Sequence, residues 1–247
     1  MTRFQSPDLL ILEFFKETEP TLYQIHQRFI EEYGTNIKQM QPRFAQRHDP
    51  IKTVDPERFE NLLGIDVAHD THPISQWFIG RQIIRNRRFA RHLTQIEMNI
   101  LLMTEVTHDY GEAPLKKDVP FGDKSEQDDI DEIASWDLAV STITSGNLLA
   151  GLQNKVRPVL TGENKKLHDI FKSSEHIGYI QTGIRAGRLA LHSAPTISVD
   201  EQAVLGSIIS DVRTRFVVSA QDLRVDHPQI DRLLTDNHDV WQPMQVV

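Results

Sequence analysis

The stretch Thr94 to Pro120, TQIEMNILLMTEVTHDYGEAPLKKDVP, constrains this chain more than any other. Thr94, with Glu97 three residues on, has the spacing of a capping box, in which each side chain satisfies the other residue's free backbone N–H. Ile96, Met98, Ile100, Leu101, Leu102, Met103 and Val106 then fall on nearly every face of a helix, which predicts a central helix surrounded by other elements. Gly111 is expected to stop it, because a residue without Cβ readily takes the left-handed conformation found just past helix ends. His108 and Asp109 then sit in the last turn, where unpaired carbonyls favour a cation. The helix thus ends by presenting His108, Asp109 and Glu112, leads into a polar loop carrying Asp118, and makes a place suited to a metal.

The rest of the chain follows the same period. Ser6, Pro7 and Asp8 start a helix whose apolar face is Leu9, Leu10, Leu12, Phe14 and Phe15, interrupted by Pro20. A second, from Leu22 to Tyr33 with Ile25, Phe29 and Ile30, runs to Gly34, and the two are expected to form a hairpin on the body of the protein. Residues 35–70 have no clean period, with Pro42, Pro50 and Pro56 breaking any long helix; the segment reads as a structured connection, a lid or a partner surface.

Asp70 or Thr71 is expected to cap a helix through about His92, with Pro73 in its first turn and His72 at the end of its inward face. Arg81, Arg85 and Arg88 project away from His72, so the arginines of this helix read as a solvated face. An acidic loop, Asp118 to Asp131, leads into a helix with Ile130, Ile133, Trp136 and Val140. There Asp128, Asp129, Asp131 and Glu132 suit the positive end of the helix dipole. Gly146 to Leu152 continues as helix, and Pro158 to Asn164 is a turn region. Residues 166–192 form a long helix in which Gly178, Gly183 and Gly187 allow close packing. Further helices are expected from Val199 to about Val218 and around His227 to Thr235. No β pattern and no internal repeat occurs, so the chain reads as all-α. One helical domain over residues 1–247 is expected, with a core at about 65–195 and helical extensions at 1–64 and 196–247.

A formal charge of −8 argues against a protein that grips nucleic acid by bulk electrostatics. The absence of cysteine excludes disulfides and thiolate sites, so a metal would need His and carboxylate ligands. No apolar run reaches membrane-spanning length and MTRFQSPDLL has no signal-peptide pattern, so a cytoplasmic protein without membrane partners is expected. A homo-oligomer is open: the apolar N-terminal helices and the helix near Ile180 can pack within one chain or between two.

His-Asp dipeptides begin at positions 48, 69, 108, 168 and 238, so the dipeptide alone discriminates nothing. His108 and Asp109 differ in their surroundings: a buried helix before them, Gly111 and Glu112 after, an Asp-Val-Pro turn at Asp118, and His72 upstream at another helix start. Together these features resemble the HD-domain metal-dependent phosphohydrolases, nearest to their small 5'-deoxynucleotidase-like members, over roughly residues 70–190. The HDxGE stretch is the most specific part.

That resemblance implies a helical HD-like bundle with a divalent ion, whether Mn, Co, Mg, Fe or Zn, held by His72, His108, Asp109 and Glu175. Glu175 stands where the family has Asp, and Asp169 is the other candidate for the fourth ligand. The turn at Asp118 lacks the family's usual Gly. Glu112 would orient or deprotonate a water, Asp118 would assist the leaving oxygen, and Lys116 or Lys117 would offset phosphate charge. His69 is a second ligand or a mere neighbour, and Trp77 or Tyr110 could stack on a base. The implied activity is hydrolysis of a nucleotide-like phosphate ester, deoxynucleotides favoured. The alternatives are an alarmone or cyclic-nucleotide hydrolase, or a regulatory or interaction protein that keeps the scaffold with a weakened metal site.

Overall fold

The computed structural model describes residues 6–40, 43, 56–85, 92–119, 123–192 and 197–217. Every element among them is helical and none is a strand, so the chain is all-α. The helix expected around His227 to Thr235 lies outside the described residues, as do the dipeptides at His48 and His238.

Helix α1 (Ser6–Thr18) and helix α2 (Pro20–Ile37) are parted only by Glu19, the N-cap of α2. Pro20 interrupts the chain by starting the second helix, where its missing N–H would have no intrahelical partner. Helix α2 runs through Gly34 rather than ending there. Leu22, Ile25, Phe29, Tyr33 and Ile37 form one buried stripe, and Ile37 at its end carries the helix a further turn. Helix α1 buries Phe15 completely but leaves Leu10 at 70% exposure, so its apolar face is narrower than the sequence suggests. Asp8, in its first turn, is buried against Arg185 at 2.7 Å.

Pro56, expected to break helix, begins one: α3 (Pro56–Leu63) buries Phe59, Leu62 and Leu63 and passes into a tight turn, Gly64–Asp66. Helix α4 (His72–Arg85) carries Trp77, Ile79 and Ile83 inward. Arg81 stacks over Phe14 at 4.4 Å, so that arginine packs on the N-terminal helix, while Arg85 is exposed. The expected extension towards His92 passes outside the described residues.

The central helix α5 (Gln95–Thr107) has the predicted Thr94–Glu97 capping box. It is enclosed only in its second half, since Leu101 to Thr107 pack inside while Ile96 is 64% exposed. After the turn His108–Gly111 come α6 (Glu112–Leu115) and α7 (Glu126–Ile143). Helix α8 (Gly146–Gly151) widens into a π turn at Leu152–Val156 and ends as α9 (Arg157–Leu160). Pro158, expected in a turn, sits in the first turn of α9. Its missing N–H removes one bond from the i−4 ladder, a common setting for a widened turn.

Helix α10 (Lys165–His192) and α11 (Val199–Val212) complete the bundle. Gly178 lies against the Gln76 amide, where a Cβ would collide, which is the close packing expected of that glycine. One core joins α3, α4, α10 and α11; a second joins α1, α2, α4, α5 and α7. Phe15, Ile25 and Ile180 are buried within the chain, whereas Leu10 on the N-terminal helix is exposed. No helix among the described residues is long and apolar enough to cross a membrane.

Candidate metal centre

The turn after α5 is held by large buried side chains. The Trp136 indole N–H donates to the Thr107 carbonyl at 2.7 Å, and Tyr110 stacks on Phe29 with ring centroids 3.8 Å apart. His26 donates from Nε2 to the Asp70 carbonyl at 2.7 Å and faces the Tyr110 hydroxyl with Nδ1 at 3.1 Å. One histidine thereby ties the approach to α4 to the turn carrying His108. Gly111 is not a left-handed cap: its φ is −70°, and helix resumes at once as α6. A Cβ there would strike the Glu132 carbonyl oxygen of α7, so the glycine is needed for close approach instead. The left-handed residue is Lys116, at φ 53°.

His72, His108 and Asp109 present ligand atoms all within 4.8 Å of one another. His72 donates its Nδ1–H to the Asp66 carbonyl at 2.9 Å, and His108 donates its own to the Glu105 carbonyl at 2.9 Å. A carbonyl only accepts, so both protons are fixed on Nδ1 and both Nε2 atoms are left to face inward. His72 Nε2 lies 3.6 Å from Asp109 Oδ2, and His108 Nε2 lies 3.0 Å from Asp109 Oδ1 without a hydrogen-bond alignment. Burial, then the Arg43 charge, holds His72 well below the ordinary imidazole range and keeps it neutral. Burial opposes a charge on His108 as well, but Asp109 outweighs it and raises that ring. Converging lone pairs around a carboxylate call for a cation or a proton between them. The buried His72, His108 and Asp109 group can hold a metal ion, and its mixed nitrogen and oxygen donors suit a first-row transition metal better than Mg²⁺.

Glu112 and Asp118 are brought to the same place: their carboxylates and the His69 ring form a second group within 4.8 Å. His69 Nδ1 is 3.5 Å from Glu112 Oε2. Burial, then Asp109 and Asp118, push Glu112 well above the usual carboxylate range. Glu175 is a carboxylate, its acidity raised against burial chiefly by Lys172, which it binds at 2.7 Å. It lies close enough to raise the His108 ring but is outside the His72 group. Asp169 is 55% exposed and bonded to Lys165, turned to solvent. Lys117 reaches Asp128 at 2.8 Å and Lys116 is exposed, so neither is turned to the histidines. Trp77 and Tyr110 are fully buried and cannot stack on a base.

Two groups here, Arg43 and Glu132, are not assigned to the site by the sequence. Arg43 pairs with Asp109 at 2.5 Å, lies 3.6 Å from Glu112 and donates to the Tyr179 hydroxyl at 3.4 Å. Glu132, one turn before Trp136, forms a third group with Asp109 and Glu112 and binds Lys124. The spacing of Glu132 and Trp136 on one face was the available signal for that acid; nothing in residues 35–55 points to Arg43. No family model, curated protein or solved structure matches the chain.

Proposed function

We propose that this chain is a metal-dependent phosphohydrolase acting on a nucleotide-like phosphate ester, with a divalent ion on His72, His108 and Asp109. The observation that carries it is the pair of imidazoles whose protons are locked on Nδ1, aiming Nε2 at one buried carboxylate. When bound, the ion would polarise a phosphoryl oxygen and acidify a water. Glu112, buried beside His69 and Asp118, supports the role of exchanging a proton with that water, and a raised carboxyl suits the task. Asp118, in the same group, would serve the leaving oxygen. Arg43 can leave Asp109 for an incoming anion, since a guanidinium matches phosphate as well as carboxylate. Glu175 joins the ligands only by giving up Lys172. Deoxynucleotides remain the favoured class, from resemblance to the HD-domain family.

Elemental analysis of protein purified without chelator tests this, beside a His108→Ala/Asp109→Ala variant. About one equivalent of metal in the wild type, none in the variant, and phosphate release from a nucleotide panel with Mn²⁺, Co²⁺ or Mg²⁺ is the expected result. The Arg43–Asp109 contact at 2.5 Å favours a second reading, in which the guanidinium permanently replaces the ion and the scaffold is regulatory. Wild type that takes up neither Mn²⁺ nor Co²⁺ would overturn the metal centre and favour that reading.

A further inference from the structure

Two lysines absent from the sequence reading face this centre from the side opposite in sequence to Arg43. Lys124, just before α7, is 27% exposed and gives its ammonium to Glu132. Lys172, on α10, binds Glu175 at 2.7 Å and borders an open cleft of about 710 Å³ between α7, α9 and α10. The Glu132 carboxylate is within 4.8 Å of ligand atoms of Asp109 and Glu112, so Lys124 binds a direct neighbour of the proposed ion's carboxylate. Phe171, the residue before Lys172, packs edge-on against the His108 ring with centroids 5.3 Å apart, which sets this stretch of α10 beside the centre. Ordering two long side chains costs free energy that a solvated lysine does not incur.

We propose that Lys124 and Lys172 form the anion subsite of the centre, taking the non-bridging oxygens of a phosphate bound beside the ion. This rests on the metal reading above. A divalent ion on Asp109 competes for the neighbouring carboxylates Glu132 and Glu175, which are the lysines' present partners. As those carboxylates turn towards the ion, each ammonium is left short of counter-charge in a half-buried position, and a phosphate oxygen restores it. Lys117, before the acidic loop, is instead 60% exposed and tied to Asp128, which also closes the Ser125 capping box.

The test is calorimetric titration of inorganic phosphate into full-length protein loaded with Mn²⁺, with Mn²⁺ content measured in every sample. Lys124→Gln and Lys172→Gln should each weaken phosphate binding by about tenfold and the double variant by about a hundredfold, at unchanged Mn²⁺ content. Lys124→Arg should stay within about threefold of wild type, and Lys165→Gln, on an exposed lysine, should match it. Retained Mn²⁺ content reports a folded site in each variant. A double variant that binds phosphate like wild type at equal Mn²⁺ content overturns the lysine assignment and leaves the metal centre standing. Mn²⁺-loaded wild type that binds no phosphate also overturns it. Wild type that takes up no Mn²⁺ overturns the metal centre, and the subsite with it.

Discussion

At the scale of single residues, chemistry here is decided by where two imidazole protons sit. His108 carries its Nδ1–H towards the Glu105 carbonyl, so only Nε2 is free to ligate, and it must be unprotonated to do so. Asp109, working against burial, raises that ring above its usual range. Metal uptake must therefore expel a proton: affinity is full above the His108 titration and falls as pH drops through it. Mn²⁺ binding followed by electron paramagnetic resonance between about pH 5 and 8 should show this loss, and His108→Gln should weaken binding by at least about a hundredfold at neutral pH. A pH-independent affinity would exclude His108 from the ligands. His72, His108 and Asp109 were legible because each sits at a helix end, where local spacing predicts which way a side chain faces. Arg43 was not, because its place is set by one non-local bond, from its backbone N–H to the Val67 carbonyl at 2.9 Å, in a segment without period.

At the scale of elements, local signals were strongest at helix starts and weakest where tertiary packing overrides them. The Thr94–Glu97 box was readable because both partners lie within one turn. Removing it by Thr94→Ala should cost about 1 kcal/mol in urea unfolding at neutral pH. Lys166, and then the Thr94 backbone, lower the Glu97 carboxyl from 4.5 to about 2. The folded value is depressed, so the contribution is present above pH 4.5 and lost as pH falls towards 2, and the wild-type advantage over Thr94→Ala should shrink across that window. Gly111 shows the opposite case: its sequence context spells a cap, whereas its role comes from α7 lying against it. Gly111→Ala should destabilise by about 1–3 kcal/mol through forced separation of α7 from the turn, visible as a lower urea midpoint. A cap residue in the left-handed region would instead be strained by alanine without moving α7. A structure of the variant separates the two accounts.

At the scale of the whole molecule, the centre is assembled from segments far apart in sequence. His72 comes from the start of α4, His108 and Asp109 from the turn after α5, and Glu132 from α7. An ion that binds only when these elements are together must stabilise the entire fold, because the unfolded chain cannot present its ligands as a set. At a free Mn²⁺ concentration one hundred times its dissociation constant the gain is about 2.7 kcal/mol. For a chain of this size that is a rise in Tm of roughly 5–10 °C. Scanning calorimetry with and without Mn²⁺ should find the rise in wild type and lose it in His108→Ala/Asp109→Ala. The buried Arg43 sharpens the outcome: Arg43→Ala leaves Asp109 without its 2.5 Å partner, so the metal-free variant should melt lower while its gain from Mn²⁺ grows. A smaller Mn²⁺ gain in Arg43→Ala than in wild type would mean that the guanidinium helps to build the site rather than standing in for the ion.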